Sequence, residues 1–277
     1  MKQTIEIRKL TSLQEMRQVE ELEEHIWGSP TTPLHQTHTA VKNGGIIAGA
    51  YDGEKLVGFQ YSFPGYKNGQ VYLCSHMLGI HSDYQKSGIG EKLKHKQREL
   101  AIEMGYSFIT WTFDPLLSVN AYLNLHKLGG IAGSYSENHY GMMDDAQNAG
   151  LPTDRFKVEW WIKSNYVNEH KPKNYAVDFN RILLQTKINQ DGLPYIVGKN
   201  DGVAFDPTAD GWLVPIPADF QSIKNSDFEL ALDWRIKTRE VFQGLLAQGF
   251  VGEDLIRHPE KHVSYYRFSL RNHLDIK

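Results

Sequence analysis

A short segment between a β-like run and an amphipathic helix carries the residue types that point most clearly to chemistry: Gln85, Lys86, Ser87, Gly88, Ile89 and Gly90. The start of a helix leaves backbone N–H groups unpaired and carries partial positive charge, which suits a pyrophosphate. Gly88 and Gly90 remove side chains where phosphate oxygens would approach the main chain. Lys86 adds positive charge. The segment therefore predicts a site for a phosphate-bearing ligand.

Three kinds of phosphate loop can be compared with this segment. A dinucleotide-binding loop requires a third glycine at position 93, which is Leu93. A Walker-type loop requires Gly-Lys-Ser/Thr, which the segment lacks. The third pattern, Gln/Arg-x-x-Gly-x-Gly/Ala, is matched at every position.

The segment from Leu78 to Leu93 resembles the acyl-CoA-binding motif of the GNAT family of N-acetyltransferases. The resemblance implies that the strand before the loop splays from its neighbour and that the backbone of Leu78 and Ile80 pairs with the pantetheine arm. Residues 85–90 would then hold the pyrophosphate. Acetyl-CoA or another acyl-CoA is the implied co-substrate.

A second segment, residues 112–129, departs from the family pattern. Members commonly carry Asn early in this helix and Tyr before its Lys-x-Gly end, but these positions hold Ser118 and Leu125. Asn120 is out of that register and is kept as a candidate coenzyme contact. The group that reprotonates the thiolate is left open between Tyr122 and His126.

Acyl transfer to an amine requires a group that removes a proton, and His76 is the candidate base. It lies two residues before Leu78, so strict strand alternation would place both side chains on one face. Histidine titrates near neutrality. Cys74 would share that face and is interpreted as a small buried residue.

The elements that must position these residues follow from the pattern of apolar residues. The first half predicts the order β-α-α-β-β-β-α-β-α, with a capping box at Ser12 and a hairpin turn at 52–53. Residues 64–65 and 68–69 mark the next turn. A helix is expected over 118–128. The basic stretch 92–98 is interpreted as a solvated helix face.

The second half predicts further strands and a helix that begins at a capping box on Ser226. Residues 144–158 are expected to connect the halves, and 159–163 to form a strand. The fold class is therefore α/β: a GNAT-like, mostly antiparallel mixed sheet flanked by helices, with an additional C-terminal α+β region. We expect a GNAT domain over 1–165 and a region over 166–277 that could be a degenerate half-copy.

Composition excludes several classes of function. The net charge of −3 argues against a general nucleic-acid surface, and no apolar run is long enough for a membrane span. A single cysteine fits a reducing compartment, so a cytoplasmic location is expected. No spacing of histidines suggests a metal site.

The leading hypothesis is transfer of an acyl group, acetyl by default, from CoA to a small-molecule amine. One alternative is succinyl transfer to an amino acid, which needs a cationic group for the extra carboxylate; Arg155 could instead hold an acceptor carboxylate. Another alternative is a non-catalytic acyl-CoA-binding module. The second half would close the acceptor pocket or form a homodimer contact.

Overall fold

The computed structural model describes residues 5–28, 32–141, 150–173, 175–257 and 262–276. The chain forms two compact units, the first built from residues 1–111 with 161–163 and the second from 112–160 with 164–277. The boundary expected at residue 165, between a GNAT domain and a C-terminal region, stays a prediction.

The first unit contains a sheet with helices on both faces. Its strands are β1 (Glu6–Lys9), β2 (Ile46–Asp52), β3 (Lys55–Lys67), β4 (Gln70–Ile80) and β5 (Ile109–Phe113), the last ending in the second unit. Its helices are α1 (Leu13–Trp27), α2 (Leu34–Lys42) and α3 (Ile89–Glu103). Strands β1 to β4 are antiparallel neighbours in chain order, and β5 runs parallel to β4.

The capping box predicted for α1 is confirmed. The Ser12 side chain accepts the Glu15 backbone N–H, and the Glu15 carboxylate accepts the Ser12 N–H at 2.9 Å. Both bonds satisfy N–H groups that the first helical turn cannot pair internally. The left-handed Gly28 ends the helix.

The two faces of this sheet have separate apolar cores. On one face, Met16 and Val19 of α1 pack with Phe59 and Tyr61 of β3. On the other, the α3 residue Ile89 and its neighbours pack with residues of β2 and β3. Side chains of β3 and β4 therefore face either α1 and α2 or α3.

The turn between β3 and β4 lies at 68–69, as predicted, but not at 64–65, because β3 continues through Pro64 and Gly65 to Lys67. β2 starts at Ile46, which pairs with Ser62. The residues of β3 after Ser62 have no partner in β2, so this side of β3 is an edge. Pro64, which lacks an N–H, therefore interrupts no hydrogen bonds with β2, and proline is tolerated on such an edge.

In the second unit, five antiparallel strands lie in the order β7-β6-β11-β12-β10, and β8 and β9 form a separate hairpin. Its strands are β6 (Ile131–Ser136), β7 (Arg155–Trp160), β8 (Leu184–Ile188), β9 (Pro194–Lys199), β10 (Trp212–Pro217), β11 (Phe250–Arg257) and β12 (Val263–Leu270). Its helices are α4 (Ser118–Ala121), α5 (Asn165–Asn168), α6 (Phe220–Ser226) and α7 (Phe228–Ala247).

Several boundaries differ from the sequence prediction here. Residues 155–158 belong to β7, so they are not a connection, and the strand ends at Trp160 rather than covering 159–163; residues 144–149 lie outside the described part. Ser226 is the last residue of α6, so the predicted cap is wrong. Asp227 caps α7, and its side chain accepts the Leu230 N–H. The predicted helix over 118–128 becomes π-helical over Tyr122–Lys127.

Buried ion pairs join the middle of the chain to α7. Arg235 donates to both carboxylate oxygens of Asp114, at 2.9 and 2.6 Å, and Arg239 donates to both oxygens of Asp154 at 2.9 and 2.7 Å. Such bidentate bonds fix the orientation of the side chains as well as pairing their charges.

Within the described ranges, no helix is both long and apolar enough to cross a bilayer.

Replacing Ser12 by Ala should lower the free energy of unfolding by about 1 kcal/mol, because the Glu15 N–H loses its acceptor. Chemical denaturation measures the change. Thr11→Ala is the control, because Thr11 bonds Glu15 through its backbone N–H, which alanine keeps. Equal losses in both variants would contradict a role for the cap.

Candidate active site

Strand β4 contains a β-bulge at the residue predicted to be the base. Ser75 pairs with Ser62 of β3 and Met77 pairs with Tyr61, so His76 is the additional residue. A bulge breaks the two-residue alternation of side chains and bends the strand. Side chains before and after His76 therefore do not follow one pattern.

The prediction that His76 shares a face with Leu78 is wrong, because the bulge intervenes. Leu78 packs on the α3 side of the sheet. The His76 ring contacts the rings of Tyr61 and Phe63, with centroids 6.2 and 5.6 Å apart, on the side of α1 and α2. His76 is exposed, yet partial loss of water around the ring lowers its pKa. Its role as base stays a prediction.

Strand β4 is paired with β5 only near its beginning. Leu73 pairs with Ile109 and Cys74 with Thr110, and the pairs described for the two strands end there. On the other side, β4 pairs with β3 as far as Ile80. The later half of β4 therefore has a main-chain edge toward β5 that the described strand pairs leave open.

The loop after β4 is folded tightly onto itself. A 3₁₀ turn covers Ser82–Tyr84, and the Tyr84 hydroxyl donates to the Asp52 carboxylate at 2.7 Å. The Ser87 hydroxyl donates to the Tyr84 carbonyl oxygen. Lys86 is left-handed, with φ of 59°, and is exposed. These bonds fix the path of the backbone into α3.

Gly88 caps α3 with φ of 81°, a conformation that glycine adopts without strain. The first backbone bond of the helix runs from the Lys92 N–H to the Gly88 carbonyl at 3.2 Å. Because the N–H groups of the first turn precede that bond, they have no acceptor within the helix. No atom lies within 4 Å of the position a Gly88 Cβ would take, so the approach to the helix start is open. The Gln85–Gly90 segment thus has the geometry of a phosphate cradle.

The basic stretch 92–98 is not entirely a solvated face, contrary to the sequence interpretation. Lys94 is 2% exposed; its ammonium donates to the Ser75 hydroxyl at 3.0 Å and lies 3.4 Å from the Trp111 ring centroid. Burial lowers the pKa of Lys94 well below its usual value. Arg98 donates to the Ile162 carbonyl at 2.8 Å. Both residues stabilise the first unit.

Glu23 was not among the sequence candidates, although it is the most unusual titratable group on the α1 face. It is 1% exposed, and its Oε2 accepts the Thr32 N–H at 3.2 Å. Its Oε1 is buried without a hydrogen-bond partner. Burial, opposed by the Thr32 N–H, raises the pKa of Glu23 to about 7. One signal was available in the sequence: a carboxylate four residues after Val19, within the apolar stripe of α1.

Asn120, Tyr122 and His126 belong to the second unit. Asn120 is exposed. The Tyr122 ring stacks on His126 with centroids 4.3 Å apart, and the Arg257 guanidinium lies 4.0 Å from the Tyr122 centroid. Their proposed contacts with coenzyme or thiolate stay predictions.

His126 is held in a buried pair. Its Nδ1 lies 2.9 Å from Asp254 Oδ1, and its carbonyl accepts the His170 Nε2–H at 2.8 Å. Burial raises the pKa of Asp254, which the neighbouring His126 opposes. This arrangement fixes the ring of His126 in the core of the second unit.

The first unit is thus an α/β domain whose partly unpaired strand leads into a glycine-capped helix start, a class suited to an extended phosphate-bearing ligand. Residues 10–129 match the model of the acetyltransferase (GNAT) family. Within these residues the chain is similar to a GNAT acetyltransferase domain. The described residues contain no cluster of His, Cys, Asp and Glu arranged to hold a metal ion.

Solved structures provide a second comparison. A GNAT acetyltransferase from Streptococcus pneumoniae is 14% identical, covers 56% of this chain and 98% of its own, and has a TM-score of 0.47. The ribosomal-protein-S18-alanine N-acetyltransferase of Escherichia coli is 13% identical, covers 63% and 100%, and also scores 0.47. A soil-metagenome aminoglycoside acetyltransferase is 19% identical, covers 40% and 78%, and scores 0.36. No curated protein sequence matches the chain.

Glu23→Gln should change how stability depends on pH. The folded pKa of Glu23 lies above its ordinary value of 4.5, so its contribution to stability is present at low pH and is lost as pH rises through about 7. At about 1.4 kcal/mol per pH unit, the wild type should lose roughly 3 kcal/mol relative to the glutamine variant between pH 4.5 and 8.

Chemical denaturation across that pH range measures the difference. Glu24→Gln is the control, since Glu24 is exposed on the same helix. A constant difference between wild type and Glu23→Gln would contradict the raised pKa.

Proposed function

We propose that this protein is an acyl-CoA-dependent N-acyltransferase that transfers an acyl group, acetyl by default, to the amine of a small molecule. The observation that carries the proposal is the Gln85–Gly90 cradle at the start of α3, next to the open edge of β4, inside a GNAT domain. An amine acceptor is the substrate class of this family.

The geometry supports a separate role for each part of the proposed site. The pyrophosphate of CoA would lie against the first-turn N–H groups of α3, where the helix dipole favours negative charge. Lys86 is exposed beside this position and would add a cation. The main chain of Leu78 and Ile80 would pair with the pantetheine arm, because their side chains are occupied in the core on the α3 side.

The acyl group is proposed as acetyl because a second carboxylate would need a cation of its own. Lys94, a buried ammonium beside β4, already donates to Ser75 and lies over the Trp111 ring. Succinyl transfer to an amino acid therefore remains the alternative, and a panel of acyl-CoA compounds separates the two.

Binding of CoA, acetyl-CoA or succinyl-CoA should raise the melting temperature. A ligand at ~100 times its dissociation constant stabilises a fold by about 2.7 kcal/mol, which is roughly 5–10 °C for a chain of this size. Thermal unfolding with each compound, and with ATP and NAD as controls, measures the shift. No shift with any CoA compound, or an equal shift with ATP, would overturn the proposed site.

Gly88→Leu should weaken CoA binding at least ~10-fold while the protein stays folded. The side chain would occupy the open approach to the helix start, and the positive φ adds about 1–2 kcal/mol of strain. Gly69→Leu is the matched control: Gly69 has φ of 79°, against 81° for Gly88, and neither position has an atom within 4 Å of a new Cβ. Titration calorimetry with CoA compares them, and retained affinity in Gly88→Leu would contradict the cradle.

A further inference from the structure

The α1 side of the β3–β4 pair gathers polar groups that lack hydrogen-bond partners. Glu23 comes from α1, Tyr61 from β3 and His76 from the bulge of β4. Glu23 Oε1 is buried without a partner, and neither the Tyr61 hydroxyl nor the His76 ring has a hydrogen bond within the described ranges. We call these three residues the α1-face cluster.

The members of the α1-face cluster are neighbours. The Tyr61 and His76 rings meet edge to face at 6.2 Å. Burial raises the pKa of Tyr61, and the charge of Glu23 adds to that effect. Tyr61 pairs with Met77 across the strands. Thr32, whose N–H binds Glu23, also contacts the Met77 sulfur at 3.8 Å. The cluster therefore adjoins β4 directly after the bulge.

A buried carboxylate oxygen without a donor is unfavourable unless something else binds it. The surroundings are apolar, since Phe63 and Met77 pack against the same core as Tyr61. A few convergent polar groups among apolar and aromatic side chains are typical of small-molecule sites. His76 is the exposed member of the cluster. An ammonium group is the ligand that complements this arrangement, because it brings both charge and donors.

We propose that the acceptor amine binds at the α1-face cluster, with its ammonium against Glu23 Oε1, and that Glu23 takes the proton that frees the amine for attack. The inference rests on the proposed function and names its acceptor site and base. Glu23 would thus be a catalytic residue, and His76 would border the acceptor.

The transfer of the acyl group conserves protons and electron pairs. Glu23 takes one proton from the ammonium, and the nitrogen lone pair forms a bond to the thioester carbon. The carbon–sulfur bond breaks, and its electron pair leaves with sulfur. The new amide nitrogen loses its second proton, one proton restores the CoA thiol, and Glu23 returns its proton to solvent. The net products are amide, free CoA and one proton.

Glu23 suits this step better than His76. A base works best when its pKa lies near the working pH, and burial raises that of Glu23 to about 7. Burial lowers the pKa of His76, which makes it a weaker base. In addition, Glu23 Oε1 has no hydrogen-bond partner of its own, so it can bind the amine.

The arrangement favours a particular class of acceptor. A primary amine on an apolar carbon skeleton would fit, because Tyr61, Phe63 and Met77 belong to the apolar core on the α1 side. An α-amino acid would bring its own carboxylate toward Glu23, where like charges repel. We therefore expect phenethylamine to bind more tightly than phenylalanine.

The first experiment measures acceptor binding without turnover. Calorimetry follows phenethylamine binding to the wild type, Glu23→Gln and Glu24→Gln, each with and without CoA. Gln can still accept the Thr32 N–H, so Glu23→Gln should stay folded. We expect at least ~10-fold weaker amine binding in Glu23→Gln only. Equal binding in all three proteins, or no amine binding to the wild type, would overturn the inference.

The second experiment measures turnover as thiol release from acetyl-CoA. Glu23→Gln should lower kcat/KM by about 10²–10⁴-fold and remove the limb of the pH profile that rises near 7, while CoA affinity stays unchanged. A retained rising limb would show that another group is the base. Failure of the wild type to bind any CoA compound would instead overturn the proposed function, and Glu23-dependent amine binding would still be measurable.

Discussion

Strand β4 lies between β3 and β5 and pairs with them to different extents. It pairs with β3 along its length but with β5 only at Leu73 and Cys74. The bulge at His76 lies just after that point, and bulges bend a strand and disturb its ladder. The open backbone edge, the turn into the loop and the position of the α1-face cluster all follow from this separation of β4 from β5.

Burial of charge shapes both faces of the sheet in the first unit. On the α1 side, burial favours the neutral form of Glu23. On the α3 side, the register places Ser75 and Leu78 together, and burial favours the neutral form of Lys94 beside Ser75. Lys94 has a hydroxyl and an aromatic ring as partners, whereas one oxygen of Glu23 has none. That contrast separates a group that stabilises the core from one available to a ligand.

The second unit is organised differently, around buried pairs of opposite charge. Asp114 and Asp154 each receive two bonds from an arginine of α7, and His126 pairs with Asp254. Breaking one such buried pair leaves an uncompensated charge, which is strongly destabilising. These contacts fix the helix α7 against residues that lie more than 80 positions earlier in the chain. They give this unit a core of its own.

The sequence by itself determined the elements whose signals are local. The capping box at Ser12, the hairpin turn at 52–53 and the Gly88 helix start each depend on neighbouring residues, and so they could be predicted. The Gln85–Gly90 motif also indicated the family from its order alone. Tertiary structure decided the rest. The bulge at His76 depends on how β4 pairs with β3, so alternation along one strand could not reveal it. Likewise, the raised pKa of Glu23 arises from burial against β3 and β4, which only the packing of α1 on the sheet creates.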